Sequence, residues 1–239
     1  MDYVLTAEEL YKEYKGGRAL DGLSLHVPRG AIYGLVGKNG AGKTTLIRIL
    51  CALQAPTAGE YTIFGVNGRD RGILQARGRM GAVVEAPAVY QELTAEENLR
   101  IQYEVLGRRE PDTIPGLLEL VGLGDTGKKK VKNFSLGMRQ RLGIAVALAG
   151  EPELLILDEP VNGLDPQGII EMRRLLQKLN REKGVTILIS SHILDELAKL
   201  ATHYGFIDKG RMVEELAAAD VGEGLEKHYM KLMGGDWDE

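Results

Sequence analysis

Hydrophobic and polar positions change rhythm four times along this chain. Near the N-terminus, "LDGLSLHV" alternates apolar and polar residues, "PRG" turns the chain, and "AIYGLVG" runs apolar into a glycine-rich stretch. That pattern predicts short strands over the first 35 residues. From Lys43, "KTTLIRILCAL" takes helical spacing. "GEYTIFGVNG" and "MGAVVEA" again read as strands, and "LTAEENLRIQYEVLG", "DTIPGLLELVGL" and "SLGMRQRLGIAVALAG" as three helices in succession. Thr94 with Glu97 three positions on predicts a capping box at the first of these. Beyond them "ELLILDEP", "VTILISSH", "THYGFIDKG" and "RMVEE" are predicted strands. "PQGIIEMRRLLQKLNREKG" and "ILDELAKLA" are predicted helices between them.

Apolar strands alternating with helices imply an α/β fold whose mostly parallel sheet is covered on both faces. The three helices, residues 92–149, form an inserted lobe between a first segment (1–91) and a last (150–239). The tail "EGLEKHYMKLMGGDWDE" is compatible with a short helix.

Composition narrows the class. The chain has 239 residues, 44% hydrophobic and 27% charged, with a net charge of −4, so no global basic footprint favours nucleic acid. Its single cysteine, Cys51, excludes an internal disulfide and reads as a buried thiol. No apolar run approaches the roughly 18 residues of a membrane span, and "MDYVLTAEEL" is acidic and unlike a signal peptide. A soluble protein is the expectation, unless a partner holds it at a membrane.

The chemistry concentrates in three places. Gly37-Lys38-Asn39-Gly40-Ala41-Gly42-Lys43-Thr44 fits G-x-x-x-x-G-K-[ST] between an apolar strand and a helix. Its glycines let backbone N–H groups face phosphate oxygens, and the helix N-terminus adds partial positive charge. Lys43 is positioned for the β- and γ-phosphates, Thr44 for Mg²⁺ and Thr45 for a phosphate oxygen. "LLILDEP" delivers Asp158, a water-mediated Mg²⁺ ligand, and Glu159, which orients or deprotonates the attacking water, to the end of a strand. His192 ends a third strand and can donate to the γ-phosphate. Ser135 is an N-cap by type, opening a long helix.

In this order the chain resembles the ATP-binding subunits of ATP-binding cassette (ABC) transporters over nearly its whole length. "GKNGAGKTT" matches the Walker A loop, "LLILDEP" Walker B, "NGLD" the D-loop with Asp165, and "SSH" the switch. "SLGMRQR" matches the signature, with Leu136 for its first glycine, Gly137 retained, and Met138 and Arg139 for Gly-Gln. The resemblance implies a P-loop ATPase fold with an N-terminal antiparallel β subdomain and an inserted helical subdomain. It also implies ATP and Mg²⁺ as cofactors and Tyr14 as the adenine-stacking aromatic. Two copies, or one copy and a similar ATPase subunit, would dimerise head to tail on ATP, with Ser135 to Arg139 acting across the interface. A separate membrane permease would be driven by hydrolysis at the inner face of the cell membrane.

Glu85 stands where the family usually has the Q-loop glutamine, and is read as a further Mg²⁺ ligand. "VVEAPAVYQELTAEENL" with "FSLGMRQRLGIA" resembles the branch serving bacitracin- and lantibiotic-type peptide exporters. The alternative is a cassette ATPase acting on nucleic acid or ribosomes. Members of that kind carry a long coiled-coil insertion or two cassettes, and neither pattern is present here. A GTPase is disfavoured because the sequence has no Asn-Lys-x-Asp guanine reader.

Overall fold

The computed structural model describes residues 2–108, 111–222 and 224–234. In chain order its elements begin with strands β1 (Tyr3–Tyr14), β2 (Gly17–Pro28) and β3 (Ile32–Val36), followed by helix α1 (Lys43–Leu50). Strands β4 (Ala58–Ile63) and β5 (Val66–Asn67), helix α2 (Ile73–Arg77) and strand β6 (Met80–Val83) come next. Helices α3 (Ala95–Val105), α4 (Ile114–Leu120) and α5 (Leu136–Leu148) then precede β7 (Leu154–Asp158), α6 (Pro166–Lys183), β8 (Thr186–Ser191) and α7 (Leu194–Ala198). Strands β9 (His203–Asp208) and β10 (Arg211–Ala217) and helix α8 (Leu225–Leu232) complete the described chain. Of the expected tail helix, Glu223 and residues 235–239 lie outside the described residues.

Two sheets result. One is antiparallel, in the order β2-β1-β4-β5; the other runs β10-β9-β3-β8-β7-β6, parallel throughout except for β10. The five residues of β7 are all buried, and the two-residue period of a strand divides them. Leu155 and Leu157 join one core with Ile187, Ile189, Leu176 and the helices α3 to α5. Leu154 and Ile156 join a second core with Leu188, Leu46, Ile47 and the antiparallel strands. An uninterrupted apolar run is therefore required, because both faces of the strand are covered.

The first two strands differ from the expectation of short elements: each has 12 residues. Between Ala7 and Leu10 the register shifts, and Glu9 takes φ 47°, a bulge that lets pairing continue while the side-chain alternation slips. A reading by alternation breaks at that point although the ladder does not. Helix α2 carries too few turns to show a period and was not anticipated.

The capping box at α3 forms as expected. Thr94 Oγ1 accepts from Glu97 N–H (3.1 Å) and Glu97 Oε2 accepts from Thr94 N–H (2.6 Å). That backbone bond, with Lys130 Nζ 3.1 Å away, lowers the Glu97 pKa. Lys130 belongs to the basic run at 127–132, in which two more lysines have local partners. Lys132 pairs with Glu92 (2.8 Å), and Lys129 Nζ sits 5.8 Å from the centroid of the Phe134 ring.

Candidate nucleotide site

Strands β3, β8 and β7 are neighbours in the parallel sheet, so their carboxyl ends bring three distant segments to one edge. The Gly37–Gly42 loop follows β3, Glu159 follows β7 and His192 follows β8. Between them lies a cavity of about 330 Å³, lined by Lys38, Asn39, Gly40, Ala41, Gly42, Lys43, Thr44 and Thr45 with Glu159, His192, Ala19 and Asn162.

The loop requires glycine for two reasons. Gly42 has φ 112°, and a Cβ there would lie 2.7 Å from the Ala19 carbonyl oxygen. Gly37 has an ordinary φ, but its Cβ would lie 2.6 Å from the Ile207 carbonyl oxygen. Gly42 is also the N-cap of α1 and supplies no side-chain cap, so the first N–H groups of that helix are left to a ligand. Lys43 is 5% exposed; its Nζ donates to the carbonyls of Gly37 (2.7 Å) and Lys38 (3.3 Å) and lies 3.3 Å from Glu159 Oε1.

The two acidic residues differ in setting. Asp158 is buried and does not line the cavity, and its Oδ1 accepts a 2.6 Å bond from Ser190 Oγ. Glu159 lines it, with Oε2 2.8 Å from His192 Nδ1. Its φ of 51° is unusual for a side-chain-bearing residue and costs on the order of 1–3 kcal/mol, sustained only when neighbours hold it.

A second cavity of about 310 Å³ lies elsewhere on the same chain, lined by Ser135, Leu136, Gly137, Arg141, Gly163, Leu164, Asp165 and residues of α6. Ser135 caps α5, accepting from Met138 N–H at 3.2 Å, and Asp165 caps α6, accepting from Gly168 N–H at 3.0 Å. Met138 and Arg139 do not line this cavity. The two cavities share no lining residue; the turn from Glu159 to Asp165 runs from one to the other.

Besides Gly37, Asp158, Met138 and Arg139, the expected residues Tyr14 and Glu85 line neither cavity. Tyr14, at the end of β1, is 47% exposed, and its hydroxyl donates to Gln54 Oε1. Glu85, at φ 62°, pairs with the Arg48 guanidinium on α1 and lines neither cavity. The Glu85 carboxylate thus has a cation partner on α1 in this structure. Sequence reasoning missed Ala19, Asn162, Arg48 and Ser190. Asn162 opens the "NGLD" match and Ser190 the "SSH" match, so both lay inside motifs whose other residues drew the attention.

No helix among the described residues is long and apolar enough to cross a membrane. Residues 20–162 match the ABC transporter family model. The bacitracin transport ATP-binding protein BcrA of Bacillus licheniformis is 49% identical over 218 residues, 90% of this chain and 70% of that protein. The lantibiotic transport ATP-binding protein SrtF of Streptococcus pyogenes is 42% identical, over 95% of this chain and 96% of that one. Among solved structures, a dimeric post-hydrolysis state of an ATP-binding cassette bound to ADP and Pi superposes with a TM-score of 0.80 at 26% identity, over 90% of this chain and 98% of that one. These relatives are named for transport, which favours that reading over the nucleic-acid or ribosome alternative. With its phosphate loop, Asp-Glu strand end and switch histidine on one sheet edge, this chain belongs to the ABC transporter family, as one of its ATP-binding, ATP-hydrolysing subunits.

Proposed function

We propose that two copies of this chain pair head to tail and that each ATP lies between the Gly37–Thr45 loop of one copy and the Ser135–Gly137 helix start of the other. One observation carries this reading: the phosphate-loop cavity and the signature cavity sit apart on one chain and share no lining residue. A second copy brings the missing half to each. The dimeric cassette that resembles this chain holds ADP and Pi, which supports the same arrangement.

Within one site, Lys43 exchanges its loop carbonyls and Glu159 for phosphate oxygens, and Thr45 and the N–H groups of α1 hold the rest of the triphosphate. Thr44 and Asp158 would hold Mg²⁺; a hydroxyl and a carboxylate are hard oxygen donors, suited to an ion that takes its other ligands from phosphates and water. The bound ion would neutralise charge developing on the transferred phosphoryl group. Glu159 takes the proton of the attacking water, and His192, in contact with its Oε2, orients it and donates to the γ-phosphate. Tyr14 stacks on the purine, and Asp165 carries the state of one site to the other.

Closing and opening of the pair drives a separate membrane permease at the cytoplasmic face of the membrane. The names of the bacitracin and lantibiotic relatives support an antimicrobial peptide as the cargo, exported or removed from the membrane. The test is reconstitution of the chain in vesicles with the span-bearing protein encoded beside it. ATP-dependent movement of labelled bacitracin that is lost with Lys43→Ala supports the reading. Cosedimentation with ribosomes in place of membranes overturns it.

A further inference from the structure

We propose that Ser190 is a positioning residue for ATP hydrolysis, a single hydroxyl that locks the Asp158 carboxylate and the Glu159 backbone into one rigid unit. Ser190 lies on β8 directly across from Asp158 of β7, fully buried in a strand whose other residues are Thr186, Ile187, Leu188, Ile189 and Ser191. Its Oγ donates to Asp158 Oδ1 at 2.6 Å and accepts from Glu159 N–H at 2.9 Å. Its carbonyl oxygen lies 3.2 Å from the same N–H. A buried hydroxyl is costly unless both its donor and acceptor roles are met, and here both are.

The consequence follows from the backbone. Glu159 is held at φ 51°, a conformation that relaxes unless its surroundings impose it. The Lys43 and His192 contacts restrain only the far end of the side chain. Ser190 restrains the near end, at the amide, and through the same oxygen sets the orientation of Asp158. Alanine at 190 frees both: Asp158 Oδ1 loses its donor, and Glu159 keeps only the longer carbonyl contact. A base misplaced by a fraction of an ångström loses rate while ground-state binding by the loop persists.

This rests on the reading of Glu159 as the carboxylate acting on water. The experiment compares Ser190→Ala, Ser190→Cys and Ser190→Thr in the full chain. For each, kcat and KM for ATP, the Kd of a fluorescent ATP analogue in EDTA, and Tm are measured. Ser190→Ala is expected to lower kcat about tenfold or more with Kd within about twofold. Ser190→Thr, which keeps the hydroxyl on a carbon suited to a strand, is expected to restore most of kcat. If Ser190→Ala fails to fold, Ser190→Cys carries the test, being near in size but a poor donor and acceptor. A kcat within about twofold of the parent for the alanine or cysteine variant overturns the proposal, as does a Kd that weakens in step with kcat. Failure of threonine to rescue at unchanged Tm also overturns it. Parental turnover by Glu159→Gln sinks the prior reading by itself, whereas a fast Ser190→Ala beside an inactive Glu159→Gln sinks only this proposal.

Discussion

Replacing Glu159 by glutamine removes one charge and almost no volume, so it separates binding from chemistry at this site. Lys43 Nζ lies 3.3 Å from the Glu159 carboxylate. At that distance and an effective dielectric near 20, the gross attraction is about 5 kcal/mol. Desolvation of the two groups offsets most of it, leaving on the order of 1.5–3 kcal/mol net. ATP competes with this ion pair, because Lys43 must leave the carboxylate for phosphate oxygens, and glutamine releases that competition. The carboxylate also repels the γ-phosphate, and an amide does not. ATP affinity is therefore expected to be tighter, by about tenfold to a hundredfold. Turnover is expected to fall about 10²–10⁴-fold, the usual contribution of a positioned base. Titration with a fluorescent ATP analogue, phosphate release and size-exclusion chromatography with ATP measure the three consequences: affinity, rate and a trapped dimer. Phosphate release near the parental rate refutes Glu159 as the base. An affinity loss beyond about tenfold refutes the competition argument and makes the carboxylate an organiser of the cavity.

Four further outcomes are expected. Ser135→Arg should leave ATP binding by the monomer intact and abolish dimerisation and hydrolysis; loss of monomer binding, read by the same analogue, assigns Ser135 to its own chain's site. Glu85→Gln releases Arg48, should leave ATP affinity equal or somewhat tighter, and should change chiefly the ratio of ATPase rates with and without the permease; a collapse in affinity with normal stimulation contradicts this. Thr94→Ala removes the α3 cap, costing about 1 kcal/mol, or about 2–4 °C in Tm by scanning fluorimetry for a chain of this size; an unchanged Tm shows the capping box to be idle. Burial opposes charging of His26, but hydrogen bonds to Glu215 and Glu8 outweigh it and raise the pKa above its usual 6.5. The charged form is the one held in the fold, so this stabilisation is complete below pH 6.5 and is lost as pH rises through the raised value. His26→Gln should flatten urea stability across that window, and an unaltered pH profile argues against it.

Much of the phosphate grip was legible in sequence because its chemistry is local. A glycine loop between strand and helix, with Lys43 and Thr44 at the helix start, needs only chain neighbours to form. The Thr94 capping box and the apolar run of β7 are local in the same sense: a helix N-terminus closes within four residues, and a strand covered on both faces must be apolar throughout. What only the tertiary structure decided depends on which strands are neighbours and where side chains find partners. β3, β8 and β7 adjoin although about 120 residues of sequence separate β3 from β7, and only that order sets Glu159 between Lys43 and His192. Ser190 reads as one more residue of a buried strand until the register sets it opposite Asp158. The ion pair of Glu85 with Arg48, 37 residues away, likewise depends on packing that sets α1 beside the end of β6. Periodicity constrains each element; pairing between distant elements follows from burying both faces of the sheet at once, which no local window of sequence contains.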